Sequence, residues 1–221
     1  MVCTPSNPCG KVFSKAELKW IADFAIEHDI FVFTDEIYEY FVYDGRSHIS
    51  PGALPEIADR TITISGYSKT YSITGWRIGY SVARKQWADM IGYINDLIYV
   101  CAPAPLQLGV AAGIKALEAS YYQGLCAKFA DKRDLICTAL DKAGLVPSVP
   151  QGAYYVLADI SRLPGQTGKE KTMYLLHKTG VASVPGSAFF HNQGGESLAR
   201  FCFAKSNEEL EDACHRLGHL Q

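Results

Sequence analysis

The sequence predicts an α/β fold, in which a mostly parallel β-sheet with helices on both faces is followed by a smaller α+β unit. Two observations support this for the first part of the chain. Short β-rich runs alternate there with amphipathic stretches of helix length, which is typical of strands connected by helices. The run at residues 30–34 is apolar without interruption, as in a parallel strand that is covered on both faces. A third observation concerns the rest of the chain, because beyond Gly144 the β-rich runs are short and flanked by helical stretches.

The elements follow in order from the amino terminus. Val2 and Cys3 match the end of a strand, and the first helix is predicted over residues 14–28, where Ser14 and Glu17 form the pattern of a capping box. Further strands are predicted at residues 30–34, 61–65, 78–83, 154–158, 181–184 and 199–204. Further helices are predicted near residues 86–98, 106–117, 120–143, 169–179 and 207–220, and glycine-rich loops at residues 165–168 and 192–195.

The long helix predicted at residues 120–143 separates two parts of the sequence that differ in their pattern of strands. The apolar strands of the parallel sheet precede it, and the short strands of the α+β unit follow it. We therefore place the domain boundary near residue 130, inside this helix. Residues 1–130 are predicted to form part of a larger domain, and residues 131–221 a small C-terminal domain.

Charge and composition exclude several classes of partner. The 221 residues contain 21 Lys and Arg against 23 Asp and Glu, with the two signs interspersed, so no basic surface for nucleic acid or an anionic membrane is expected. No apolar run approaches the roughly 18 residues of a membrane span, and the first residues lack the pattern of a signal peptide. Seven cysteines, an odd number without a C-x-x-C pair, favour reduced thiols in a cytoplasmic protein.

Reactive side chains follow two of the predicted strands. Asp35 ends the first apolar strand, and Ser65 and Lys69 lie at and beyond the end of the next. Ligands of an open parallel sheet bind beyond the carboxyl ends of its strands, so these groups are expected to face one crevice. A lysine amine in such a crevice is a nucleophile for aldehydes, and Arg77 beside it suits an anion. Taken singly, Lys69 also fits a solvated surface residue and Asp35 a helix cap.

These residues fall within a longer pattern. Residues 66–79, GYSKTYSITGWRIG, resemble the lysine signature of the class I and II aminotransferases, fold type I enzymes that use pyridoxal 5'-phosphate (PLP). Residues 6–10, SNPCG, are similar to the N-P-x-G turn of that family, residues 34–38, TDEIY, to its D-E-x-Y segment, and residues 200–204, RFCFA, to its C-terminal arginine strand. Order and spacing agree over essentially the whole chain, and the lysine segment is most similar to bacterial aspartate and broad-range aminotransferases.

The resemblance implies that four residues act on the cofactor ring. Lys69 is expected to form a Schiff base with the cofactor aldehyde and to move a proton between the substrate Cα and the cofactor C4′. Asp35 is expected to keep the pyridine nitrogen protonated. Tyr38 and Asn7 are expected to donate hydrogen bonds to the 3′ oxygen.

The resemblance implies that the remaining site residues bind anions. Arg77, with Ser68 or Ser65 beside it, is expected to hold the 5′ phosphate, and Arg200 to bind the substrate α-carboxylate as a bidentate fork, near Asn7. Without the family pattern, Arg200 also fits a surface charge on an edge strand, and Asn7 a simple turn former.

Four aromatic and histidine side chains in the second half of the sequence are further candidates for site residues. Tyr154 and Tyr155 either line the substrate site or pack in the core. His215 and His219 lie four residues apart on the last predicted helix, a spacing that suits zinc, but the sequence contains no H-E-x-x-H motif and no obvious third ligand. No metal site is predicted.

The implied activity is the transfer of an amino group between an α-amino acid and a 2-oxo acid, by a ping-pong mechanism in a homodimer. Aspartate, aromatic amino acids, kynurenine and alanine all remain as substrates. Two alternatives stay open: a lyase or synthase with the same cofactor, and a truncated, inactive fragment of the fold. Family members are usually much longer, and their segment before the N-P-x-G turn completes the phosphate site. We therefore expect the isolated 221-residue chain to be oligomeric, to bind PLP weakly and to have negligible transaminase activity.

Overall fold

The computed structural model describes residues 1–191 and 194–220. The chain divides into two compact units. The first unit comprises Met1–Pro5 and Val12–Leu125, and the second comprises Ser6–Lys11 and Cys126–Gln221. The division therefore falls within a helix and places the short turn 6–11 in the second unit.

The first unit is built on a four-stranded sheet. Its strands, in the order β1-β2-β3-β4, are β1 (Val2–Cys3), β2 (Val32–Asp35), β3 (Thr61–Gly66) and β4 (Gly79–Val82). The β1–β2 and β2–β3 pairs are parallel, and β4 runs antiparallel to β3. The mostly parallel sheet confirms the α/β prediction, and its register sets Asp35 opposite Ile64.

One helix, α1 (Lys15–Glu27), connects β1 to β2, and three further helices follow β4. These are α2 (Lys85–Ile98), α3 (Ala104–Ala116) and α4 (Ala119–Lys142). The capping box predicted for α1 is present, because the Ser14 hydroxyl accepts the Glu17 amide and the Glu17 side chain accepts the Ser14 amide. Helix α1 buries Leu18, Ala22 and Ala25, which lie on one face at helical spacing.

The second unit contains an antiparallel sheet of order β5-β6-β8-β7. Its elements are β5 (Val146–Ser148), β6 (Tyr155–Asp159), α5 (Gly168–Thr179), β7 (Val184–Pro185), β8 (Leu198–Cys202) and α6 (Asn207–Leu217). The adjacent strands β6 and β8 share one buried face of the sheet, which carries Val156, Ala158, Ala199 and Phe201. This unit confirms the predicted α+β texture.

Differences from the predicted elements occur in short segments. The strand expected at 181–184 begins only at Val184, and β5 was not predicted, because three residues give too little alternation to detect. The last helix ends at Leu217 and continues as a single 3₁₀ turn, Gly218–Leu220. The loop predicted at 192–195 includes residues 192 and 193, which lie outside the described residues. Among the helices within 1–191 and 194–220, none combines the length and apolar character needed to cross a membrane.

Candidate functional site

Asp35 and Lys69 lie at the carboxyl edge of the parallel sheet of the first unit. Asp35 is the last residue of β2, and Lys69 follows the last residue of β3, Gly66, by three positions. Because β2 and β3 are adjacent and parallel, their carboxyl ends share one edge of the sheet. Both side chains are half-buried. The structure therefore places Asp35 and Lys69 at the same edge of the sheet, and one crevice for both side chains stays a prediction.

The turn after β2 fixes the Asp35 carboxylate and carries Tyr38. The backbone amide of Ile37 donates to Asp35 Oδ1 over 3.2 Å, so one carboxylate oxygen is held from within the turn. Tyr38 is 4% exposed, and its ring meets that of Phe41 edge-on with centroids 6.2 Å apart. Tyr38 is thus a buried phenol three residues after Asp35, in the predicted segment.

The predicted phosphate residues lie in the turn that follows β3. Thr74 donates to the carbonyl of Ser68 over 3.1 Å, and Arg77 Nη1 donates to the Thr74 carbonyl over 3.0 Å. Arg77 is exposed and adopts a left-handed backbone with φ 59°, a conformation that is uncommon outside glycine and is often found at functional sites. The turn therefore presents a serine and an arginine close in sequence and linked through Thr74.

The two candidate serines differ in their surroundings. Ser65 is 5% exposed, and its hydroxyl donates to Glu39 Oε1 over 3.0 Å and to the Glu36 carbonyl over 3.3 Å. Ser68 is half-buried in the turn itself. Because the Ser65 hydroxyl is engaged with the Glu36–Glu39 segment, Ser68 is the better candidate for a phosphate ligand.

A group of tyrosines supports the lysine turn, and sequence reasoning did not identify it. Tyr121, on α4, donates through its hydroxyl to the Thr70 carbonyl over 2.7 Å. The hydroxyls of Tyr71 and Tyr122 lie 2.8 Å apart, and Tyr71 stacks on Tyr67 with ring centroids 5.5 Å apart. The two hydrogen bonds from α4 join residues fifty-one positions apart in sequence. The only local signal for this group is the adjacent pair Tyr121–Tyr122 on one predicted helix.

Burial changes the acidity of this tyrosine group. It raises the pKa of Tyr80 to about 12, and the nearby Glu39 carboxylate adds to the rise. It also raises the pKa of Tyr71, with a further contribution from the hydrogen bond to Tyr122. The phenols therefore stay protonated and act as hydrogen-bond donors at neutral pH.

Arg200 lies in the interior of the sheet of the second unit. Strand β8 pairs with β6 on one side and β7 on the other, with Arg200 opposite Leu157 and Val184. The interpretation of Arg200 as an edge-strand surface charge is therefore wrong. Its guanidinium carbon lies 4.2 Å from the ring centroid of Tyr155 and 4.6 Å from that of Phe189, so two aromatic rings hold it in place.

The guanidinium of Arg200 has one identified partner and one unmatched donor. Nη1 donates to Asn7 Oδ1 over 2.8 Å, which joins residues 193 positions apart. Within the described part of the chain, the buried Nε of Arg200 has no hydrogen-bond partner. A fixed guanidinium with a buried, unmatched N–H suits a planar anion such as a carboxylate. Asn7 is thus more than a turn former, because its side chain fixes one nitrogen of Arg200.

The turn that carries Asn7 is tightly fixed. The Gly10 amide donates to the Ser6 carbonyl over 2.8 Å, and the Gly10 carbonyl accepts from the amides of Gln151 and Gly152, each over 2.8 Å. Gly10 has φ +67°, and a Cβ there would lie 2.2 Å from Pro150 Cβ. Only glycine fits this position, which explains the last residue of the N-P-x-G pattern.

The remaining candidates fall into separate roles. Tyr155 packs against Arg200 and so belongs to the candidate carboxylate site, whereas Tyr154 is 8% exposed and packs against Phe129 with ring centroids 5.9 Å apart. The rings of His215 and His219 meet with centroids 5.2 Å apart. Across the described residues, no group of three or more His, Cys, Asp or Glu side chains is arranged to hold a metal ion.

Comparison with known proteins identifies the family of the chain. The sequence profile described as "Aminotransferase class I and II" matches residues 1–217. The chain is 38% identical to the aspartate aminotransferase of Pyrococcus abyssi and 34% identical to the kynurenine–oxoglutarate transaminase of Dictyostelium discoideum; each match covers 98% of this chain and 55% of the relative. The structure of N-succinyldiaminopimelate aminotransferase from Mycobacterium tuberculosis superposes with a TM-score of 0.93 at 31% identity, over 100% of this chain and 57% of that one.

Two facts follow from these matches. The chain spans about half the length of the relatives that it matches, 55% in both sequence comparisons. The profile match extends over nearly every residue, and it includes Asn7, Asp35, Lys69 and Arg200. The chain therefore belongs to the class I and II aminotransferases, a family of PLP-dependent enzymes.

Proposed function

We propose that this chain is the cofactor-lysine and C-terminal portion of a PLP-dependent aminotransferase, which transfers an amino group between an α-amino acid and a 2-oxo acid. One observation carries the proposal: Asp35 ends one of two adjacent parallel strands, and Lys69 follows the end of the other. That edge is where an open α/β sheet binds its ligands. The relatives named as aminotransferases favour this activity over a lyase or a synthase.

The side chains at this edge fit PLP group by group. The Lys69 amine matches the aldehyde, the Asp35 carboxylate the pyridine nitrogen and the buried Tyr38 phenol the 3′ oxygen. Ser68 and the exposed Arg77, in the turn after β3, match the phosphate. When bound, PLP supplies an electron sink that stabilises negative charge at the substrate Cα.

The residues of the first unit then have defined tasks. Lys69 Nζ takes the proton from the substrate Cα and delivers a proton at the cofactor C4′. The Asp35 carboxylate, with one oxygen fixed by the Ile37 amide, holds a proton at the pyridine nitrogen. The Tyr38 hydroxyl holds the 3′ oxygen through a hydrogen bond.

Arg200 and Asn7 of the second unit are proposed to bind the substrate. The stacked guanidinium is proposed to bind the α-carboxylate, and Asn7 fixes its Nη1. Recognition of the α-carboxylate alone selects α-amino acids and 2-oxo acids as a class. Aspartate and kynurenine, named for the relatives, are members of this class.

We extend the proposal to the setting of the enzyme, a cytoplasmic homodimer in which residues 1–130 belong to the large domain and 131–221 form the small domain. Association agrees with the exposed apolar side chains of α2. Burial raises the pKa of Cys137 to about 11, so this thiol stays protonated and unreactive at neutral pH.

Borohydride trapping tests the proposal. The chain is incubated with excess PLP and reduced with sodium borohydride, which makes an imine between lysine and PLP permanent, and the modified lysine is located by mass spectrometry. We expect modification at Lys69, which follows β3, and its loss in Lys69→Ala but not in Lys85→Ala, a change at an exposed lysine that pairs with Asp89. Modification elsewhere, or none, would favour the inactive-fragment alternative.

A second measurement separates the enzyme classes. Amino acids are added singly to the chain loaded with PLP, and the products are identified. Release of the matching 2-oxo acid together with an aminated cofactor supports transamination, whereas release of ammonia or a thiol identifies a lyase and contradicts the proposal.

A further inference from the structure

A buried polar cluster lies on the opposite face of the strand end that carries Asp35. Glu36 is only 2% exposed, and its carboxylate accepts from three side chains. Thr34 donates to Oε1 over 2.6 Å, Ser50 donates to Oε1 over 2.8 Å, and His48 Nε2 lies 2.7 Å from Oε2. Burying a carboxylate away from water is costly unless it has such partners. Because three side chains converge on it, the position of the carboxylate is closely defined.

The backbone of Glu36 is tied to the neighbouring strand as well. Its amide donates to the Ile64 carbonyl over 2.8 Å, and its carbonyl accepts from the Ser65 hydroxyl over 3.3 Å. The main chain of Glu36 is therefore fixed by β3. Its side chain is fixed separately, by Thr34, His48 and Ser50. Asp35 precedes it directly, and alternation along the strand turns the two side chains to opposite faces.

His48 engages this cluster through one ring nitrogen. Its Nε2 meets the Glu36 carboxylate, while its Nδ1 is buried and has no hydrogen-bond partner among the residues that the structure describes. The imidazole therefore serves Glu36 rather than bridging to a second group. This asymmetry allows a sharp test, because glutamine reaches the position of Nε2 and asparagine that of Nδ1.

We propose that Glu36, held by His48, Ser50 and Thr34, is a positioning residue that fixes the direction of the Asp35 carboxylate. The proposal rests on the proposed function only in naming the pyridine nitrogen as the group that Asp35 meets. A buried ion pair is by itself weak evidence for stability, since apolar side chains of similar volume often serve as well. A role in orienting the adjacent Asp35 gives the charged cluster a purpose that packing alone does not.

The first test needs no cofactor. The Ile37 amide donates to Asp35 Oδ1, so its hydrogen exchange reports on how firmly that carboxylate is held. Thr34→Val and Thr61→Val each replace a buried threonine hydroxyl by a methyl group, but Thr61 donates to the Ile57 carbonyl at the other end of β3. We expect exchange at Ile37 to accelerate about tenfold in Thr34→Val, the equivalent of one net hydrogen bond, and to stay unchanged in Thr61→Val. Equal acceleration in both variants would overturn the proposal.

Conservative variants of His48 form the second test. We expect His48→Gln to keep slow exchange at Ile37, because its amide donates from the position of Nε2. His48→Asn should show the fast exchange of Thr34→Val. Equal behaviour of the two variants would show that the histidine only fills space, and would contradict the assignment. These variants keep the proposal testable if Glu36→Gln does not fold.

The third test joins the cluster to cofactor binding by a double-mutant cycle. Glu36→Gln should weaken PLP binding about tenfold in the chain with Asp35, and should have little effect in the Asp35→Asn background, since there is no carboxylate left to orient. Additive losses would indicate a general structural role and contradict the proposal. If the parent chain binds no PLP, the proposed function fails, while exchange at Ile37 still decides the role of Glu36.

Discussion

At the scale of single residues, the candidate carboxylate site depends on the shape of one guanidinium. Arg200 stacks between Tyr155 and Phe189 and is bonded to Asn7 at one nitrogen. A lysine ammonium is a point charge that can neither stack in this way nor present two parallel N–H groups. A positive charge alone is therefore not enough to bind a carboxylate at this position as Arg200 does.

The corresponding prediction concerns Arg200→Lys. In the longer enzyme of which this chain is proposed to be a portion, each charged hydrogen bond contributes roughly 1.5 to 3 kcal/mol, so the KM for amino acids should rise about 10- to 150-fold. PLP retention, measured by borohydride trapping, should change little. Arg216→Lys is a suitable control, since Arg216 bonds the carbonyls of Thr179 and Gly180 at the end of α5 and should leave KM unchanged. Equal damage to PLP retention would assign Arg200 to the cofactor phosphate instead.

Glu36 gives a prediction about acid stability. Burial alone would raise its pKa, but the hydrogen bonds from His48, Thr34 and Ser50 outweigh burial and lower the pKa below its ordinary value of 4.5. A carboxyl group with a lowered folded-state pKa stabilises the fold fully above pH 4.5, and this contribution is lost as the pH falls through the folded-state pKa. The free energy of unfolding should therefore decrease with falling pH below about 4.5.

Tryptophan fluorescence can measure this effect, because all three tryptophans, Trp20, Trp76 and Trp87, lie in the first unit with Glu36. Glu36→Gln should make the acid dependence of unfolding shallower. Thr61→Val should lower stability equally at every pH, since it removes a buried hydrogen bond without an ionisable group. An unchanged acid slope in Glu36→Gln would show that other carboxyl groups control acid unfolding.

At the scale of secondary-structure elements, the turn with Asn7 is built around a glycine. Gly10 and Gly45 have nearly the same backbone conformation, φ +67° and +70°, but only Gly10 has atoms where a Cβ would lie. Gly45→Ala should cost roughly 1 to 2 kcal/mol for the left-handed conformation alone. Gly10→Ala should cost about 1 to 3 kcal/mol more, because Pro150 must move. Differential scanning calorimetry of both variants checks this, and equal losses would show that the turn at Gly10 adjusts freely.

The same scale shows what the sequence could predict. Parallel strands share a carboxyl edge, so the place of Asp35 and Lys69 at one edge of the sheet could be predicted from two strand ends alone. The capping box at Ser14 was readable because its partner lies three residues away. The bond from Tyr121 to Thr70 spans fifty-one residues and depends on how α4 packs, which no local pattern encodes. The role of His48 could not be predicted for a similar reason. It lies twelve positions after Glu36, in an irregular segment whose sequence has no periodic pattern.

At the scale of the whole molecule, the apolar surface of α2 is the dominant feature. No residue of α2 is buried. Five large apolar side chains at helical spacing form one stripe, and all are more than half exposed: Met90 (57%), Tyr93 (70%), Ile94 (51%), Leu97 (68%) and Ile98 (80%). Contiguous apolar patches of this kind promote association between molecules. The strand β4 is exposed along its whole length as well, and an open strand edge adds to this tendency.

We therefore predict that the chain self-associates, and that two charges on the stripe reduce the association. In Tyr93→Lys/Leu97→Lys, both changes lie at exposed positions of one helix face, so the fold should be retained while ammonium groups block apolar contact. Light scattering coupled to size-exclusion chromatography, over a range of protein concentrations, gives the mass directly. Val149→Lys places a charge on an apolar residue of the second unit, 60% exposed and outside the α2 stripe, and should leave the mass unchanged. A monomeric parent chain, or a mass that falls equally in both variants, would show that the α2 stripe does not hold the molecules together.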